Sequence, residues 1–135
     1  MKRRRRWVRI LAVIVVGICS VVLLAGFYLT RGLSAGNKLI IAPLSLNTVA
    51  DGEYTGRHTA GRWTCEVLVV VKDHQIVALD LLQDVAIPME GLHEYVFEQV
   101  MAHQDTSIDV KAQATVTSKA YLKAIEQALQ EKGTK

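Results

Sequence analysis

Hydrophobic and polar positions divide this chain into three regimes. From Ile10 to Thr30 no residue carries a charge. As a helix these 21 residues reach about 31 Å at about 1.5 Å each, the thickness of a bilayer core. Further on the pattern turns to alternation. In Arg62 to Lys72, Trp63, Cys65, Val67, Val69 and Val71 fall on one side of a strand. Asp73-His74 makes a turn, and Ile76 to Leu82 returns as a second strand. Glu53 to Thr59 precedes them, so a β-meander is expected. Its strands are apolar on more than one side near the middle, which calls for a helix to cover the sheet.

Helical spacing takes over beyond the meander. Gln83 to Gly91 reads as a loop with Pro88. Gly91 to Gln104 follows as a helix, with Leu92, Val96 and Val100 on one face and Glu94, Glu98 and Gln99 outside. Asp105 to Asp109 breaks it, and Ile108 to Lys111 is a short extended piece. In the last helix Leu122, Ile125 and Leu129 share a face, with Lys123, Glu126, Gln127 and Gln130 opposite and Gly133 as the stop. The expected fold class is α+β: an N-terminal transmembrane helix, then a small domain with an antiparallel sheet and two helices on one face. Domain bounds follow: 1–30 basic tail and anchor, 31–49 stalk, 50–135 folded domain. Gly32, Gly36, Pro43 and Ser45 mark the stalk. Its apolar patch Leu39-Ile40-Ile41 either packs on the domain or lies at the membrane surface.

Charge refines this picture. The formal net charge is +3, yet residues 1–9 hold six Lys/Arg and no acid. The remainder carries −3, so the basic balance reports topology rather than nucleic-acid binding. By the positive-inside rule the N-terminus stays cytoplasmic and the rest is exported across the cell membrane. Trp7, Phe27 and Tyr28 stand near the two ends of the span, where aromatic residues favour the interface. A cleaved signal peptide is the competing reading, but bulky Phe27-Tyr28-Leu29 offers no small-x-small site. Ile18 before Cys19 does not suit a lipoprotein cleavage site, so Cys19 reads as membrane-buried. With Cys65 in a strand, the two cysteines form no disulfide framework.

Most catalytic chemistry is missing. His58, His74, His93 and His103 show no metal-ligand spacing, and no nucleophile elbow or Walker loop is present. What remains is the mouth of the last helix, where Thr115, Thr117 and Ser118 place three hydroxyls in four positions. A helix start offers unpaired N–H groups and a positive dipole end. Thr117 or Ser118 as a simple N-cap is one reading, and a phosphate site is the other.

Three blocks together carry a resemblance. Asp51-Gly52-Glu53-Tyr54-Thr55-Gly56, Val69-Val70-Val71-Lys72-Asp73-His74-Gln75-Ile76-Val77, and Asp109 followed by Ala114-Thr115-Val116-Thr117-Ser118-Lys119-Ala120 stand in order. They resemble the signatures of the FMN-binding domain family, which includes the peripheral flavin subunits of Rnf-type and sodium-pumping oxidoreductases. The likeness runs from about Asp51 to Lys132. It implies FMN esterified through its phosphate to Thr115 by a flavin transferase, or held non-covalently, with Asp109, Ala114, Thr117, Ser118 and Lys119 as further cofactor contacts. Lys119 and Lys111 would screen the phosphate, and the loop Asp84 to Leu92, with Ile87, Pro88 and Met89, would wall the ring. Where the family has Ser/Thr-Gly, this chain has Ala112-Gln113. The implied function is an extracytoplasmic FMN-binding electron carrier, held in membrane lipid by residues 7–30 and serving membrane redox proteins. Ala112-Gln113 favours the alternative, a flavin-free accessory module of a membrane complex.

Overall fold

The computed structural model describes residues 2–110 and 114–130; Lys111, Ala112, Gln113 and Gly133 lie outside them. Two compact units are present, divided between Arg31 and Gly32.

The first unit is α1 (Lys2–Thr30). It is long and apolar enough to cross a membrane, and its apolar side chains are exposed all round. Two hydroxyls along it are satisfied internally: Ser20 donates to the Val16 carbonyl and Thr30 to the Gly26 carbonyl, both at 2.9 Å. The uncharged stretch from Ile10 to Thr30, with its Ser and Thr hydroxyls folded back onto its own carbonyls, suits a solvent that offers no hydrogen bonds.

The second unit is α+β. Its elements are α2 (Leu33–Asn37), β1 (Gly52–His58), β2 (Cys65–Lys72), β3 (Gln75–Gln83), α3 (Leu92–His103) and α4 (Thr115–Gln130), with short 3-10 turns at Leu46–Thr48 and Gly61–Trp63. The three strands form an antiparallel sheet in the order β1-β2-β3. Register runs from Gly52 opposite Val71 to His58 opposite Cys65, and Lys72 faces Gln75 across the tight turn. Asp73 and His74 both take positive φ, 52° and 59°. A two-residue hairpin with the sheet's right-handed twist demands that conformation, although neither residue is glycine. Neighbouring groups hold it: the Asp73 amide donates to Asp51 Oδ1 at 2.8 Å, and His74 Nδ1 lies 3.0 Å from the Val49 carbonyl oxygen.

The alternating residues Trp63, Cys65, Val67, Val69 and Val71 are all buried. They face α4, which lies across β1 and β2, while α3 packs on β3 and α4. The strand itself begins at Cys65 rather than Arg62, because Gly61–Trp63 curls into a 3-10 turn that still delivers Trp63 to the core. Ile108 to Val110 adopt no strand.

Two expectations about α4 change. The helix begins at Thr115, so Thr117 and Ser118 lie inside its first turns and neither is the N-cap. Its outer face is also covered: Glu126 is buried, at 2% exposure, whereas Gln130 is exposed as expected. The cover comes from residues 32–49, which belong to the compact unit and do not stand off it as a stalk. The Ala42 amide donates to Glu126 Oε2 at 3.1 Å, the Leu44 amide to Asp105 Oδ1 at 2.9 Å, and the Thr106 hydroxyl to the Ala42 carbonyl at 2.9 Å. Ile41 and Leu44 pack against the core, while Ile40 is 84% exposed. Two buried or half-buried carboxylates thus pair backbone amides of a segment with no strand partner, which is how such a segment escapes the cost of unsatisfied donors.

Candidate functional site

A groove of about 390 Å³ opens at the start of α4. Ala114, Thr115, Val116 and Thr117 line it. Arg62 and Trp63 from the 3-10 turn, Ile87 and Met89 from the loop after β3, and Leu33 and Asn37 of α2 line it as well.

Each wall is fixed by bonds behind it. The Ala86 amide donates to the Arg62 carbonyl at 2.9 Å, joining the loop to the 3-10 turn. The Tyr121 hydroxyl donates to Asp84 Oδ1 at 2.5 Å, and the Val85 amide donates to the same oxygen at 2.7 Å. Tyr121 lies one helical turn beyond Thr117, so α4 supplies both a groove residue and the anchor of the facing loop. Rings of Phe97 and His93 meet Tyr121 edge-on at 6.3 and 6.4 Å. Burial, then the Asp84 carboxylate, push the Tyr121 phenol well above its ordinary pKa. Burial also raises the Cys65 thiol to about 12, with Asp84 adding to the effect. A fully buried thiol held neutral is a packing group, not a nucleophile.

The expected site residues separate. Ala114, Thr115 and Thr117 line the groove. Ser118 is fully buried, and its hydroxyl has no hydrogen-bond partner among the described residues. Lys119 is committed elsewhere: its ammonium donates to the Asn37 carbonyl at 2.8 Å, capping the end of α2. Asp109 is exposed and does not line the groove. Lys111 lies outside the described residues. Of the loop residues expected near the ring, Ile87 and Met89 line the groove.

Arg62 and Trp63 are groove residues that sequence reasoning passed over. The guanidinium carbon of Arg62 sits 4.0 Å from the centroid of the Trp63 ring, and Arg62 Nε is buried without an acceptor among the described residues. The available signal was Gly61, whose positive φ of 57° starts the turn that swings Arg62 out of strand alternation. Among the described residues no group of His, Cys, Asp and Glu could hold a metal ion. No protein-family model matches the chain, and no curated protein matches it.

Proposed function

We propose that this chain is a membrane-anchored flavoprotein that binds FMN in the groove at the start of α4 and relays electrons outside the cytoplasmic membrane. One observation carries the reading. The groove is lined both by the hydroxyl-bearing start of a helix, at Thr115 and Thr117, and by the apolar side chains of Ile87 and Met89. A flavin mononucleotide needs both: polar groups for a charged phosphate and an apolar slot for a planar ring. The groove volume, about 390 Å³, lies within the ~300–1,000 Å³ usual for small-molecule sites.

The division of labour follows from the walls. Thr115 and Thr117 offer hydroxyls to the phosphate end, and Thr115 is the acceptor for a phosphoester. Ile87 and Met89 exclude water from the ring, and the Tyr121–Asp84 bond keeps their loop at its distance from α4. Bound flavin would supply one- and two-electron transfer, while the protein sets its position and surroundings. The six basic residues before the span orient the folded unit outward, and α1 keeps the carrier beside membrane redox partners.

The test is the intact mass of the full chain, co-expressed with a flavin transferase, beside flavin fluorescence in a denaturing gel. A gain of one FMN less one water, absent from Thr115→Val, is the expected result. An unmodified mass with saturable uptake of free FMN means a non-covalent carrier. An unmodified mass with no uptake refutes the flavin reading and favours an accessory module, the alternative that Ala112-Gln113 suggested.

A further inference from the structure

We infer that Arg62 is the residue that reads the anionic group of the groove's ligand, so that the groove selects a phosphorylated flavin over the free vitamin. The inference rests on the flavin reading for the ligand's name, but its observations stand apart from that reading. Of the cations expected to meet a phosphate, Lys119 is spoken for: its ammonium is bonded to the Asn37 carbonyl. Among the described residues, Arg62 is the cation that lines the groove. It forms none of the ion pairs found there, which join Arg57 with Glu66, His93 with Glu94 and Lys123 with Glu126.

Its position has the marks of a preset binding group. The main chain of Arg62 is tied to the 84–89 loop through the Ala86 amide. Its guanidinium rests on the ring of Trp63, which is itself 5% exposed and locked in the core. A cation over an indole face is held there by the negative face of the ring, and a guanidinium has several N–H groups to offer an acceptor. Yet Nε is already out of water and has no acceptor among the described residues. A buried donor on a cation is costly unless it is paired, and the fork of N–H groups matches phosphate oxygens. The remaining polar groups of the groove strengthen the choice: Asn37, Thr115 and Thr117 line it, and among the described residues no carboxylate does. An uncharged ligand would leave Nε buried and unmatched.

The experiment uses the full chain in a maltoside detergent, which carries no phosphate. Quenching of flavin fluorescence gives affinities for FMN and for riboflavin, in wild type, Arg62→Gln and Arg62→Lys. Inorganic phosphate is titrated separately in a Trp7→Phe background, where emission reports Trp63 alone. The inference expects FMN to bind about ten- to a hundredfold tighter than riboflavin, the worth of a charge-assisted contact. Arg62→Gln should remove that preference while leaving riboflavin unchanged, Arg62→Lys should restore part of it, and phosphate should perturb Trp63 only when Arg62 is present. Equal binding of FMN and riboflavin by wild type would overturn the role of Arg62 and leave flavin binding standing. A parallel loss of both ligands in Arg62→Gln would also overturn it, since Arg62 would then only shape the groove. Failure of both flavins with a saturable, Arg62-dependent response to phosphate would refute the flavin reading and support the anion site. No response to any of the three would refute both.

Discussion

Gly56 sits in the middle of β1, where α4 crosses the sheet. A Cβ placed there would lie 2.0 Å from the Ala124 carbonyl oxygen, 2.5 Å from the Ala128 amide nitrogen and 2.7 Å from the Ala128 Cβ. The first two obstacles are helix backbone, which no rotamer change can remove. To bring the nearest from 2.0 Å to ordinary contact at 3.4 Å, α4 must rise by roughly 1.4 Å. That lift opens the interface between Val67 and Val69 on the sheet and Ala124, Ile125 and Ala128 on the helix, all buried at 2% exposure or less. Overpacking where side chains can yield costs about 1–3 kcal/mol, and a gap of even ~0.5–1 Å forfeits a quarter to a half of the dispersion energy across it. Reduced freedom of the unfolded chain offsets only about 0.4–1 kcal/mol. Gly56→Ala should therefore destabilise the folded unit by at least about 3 kcal/mol, a large share of the ~5–15 kcal/mol a domain has. The assay is urea unfolding of the full chain in detergent, followed by Trp63 emission in a Trp7→Phe background. Gly17→Ala serves as control, because a Cβ there meets nothing within 4 Å. A Gly56→Ala midpoint within about 1 kcal/mol of its parent would refute the argument that close approach of α4 is what requires glycine.

Two further predictions concern protons. His58 is buried beside the approach of Lys123, and burial first, then that charge, hold its imidazole below the ordinary value of 6.5. Its folded pKa is depressed, so the stability it contributes is present above pH 6.5 and is lost as pH falls through the folded value. Urea midpoints should decline on that acid side, and His58→Gln should flatten the decline; an unchanged slope would remove His58 as the cause. For Cys65 the sign reverses. Its thiol is raised from 9.0 to about 12, so its contribution is complete below pH 9.0 and is lost as pH climbs toward the folded value. In a Cys19→Ala background, Ellman's reagent at pH 8 should modify Cys65 only after urea unfolds the domain, and prompt labelling of the folded protein would show that the thiol is neither buried nor neutral.

Local pattern carried much of this architecture. Alternation from Trp63 to Val71 specified which side of β2 is buried, because strand side chains alternate strictly. The 3.6-residue spacing of Leu92, Val96 and Val100, and of Leu122, Ile125 and Leu129, specified the inner faces of α3 and α4 in the same way. Uninterrupted apolarity specified α1. The turn at Asp73-His74 was legible from its neighbours, although the Asp51 carboxylate that steadies it was not.

Tertiary structure decided what these elements meet. Glu126 reads as an outer-face residue by its helical position, yet it is buried, because residues 32–49 fold over α4 and the Ala42 amide needs an acceptor there. Lys119 reads as a phosphate cation by nearness in sequence, yet the end of α2 claims it. Arg62, distant in sequence from Thr115, shares its groove because a 3-10 turn and the 84–89 loop bring it across. Periodicity is a property of one element and survives in the sequence alone. Partnership between a side chain and a distant backbone group depends on chain crossings, and these exist only once the sheet, the covering helix and the segment over it have packed.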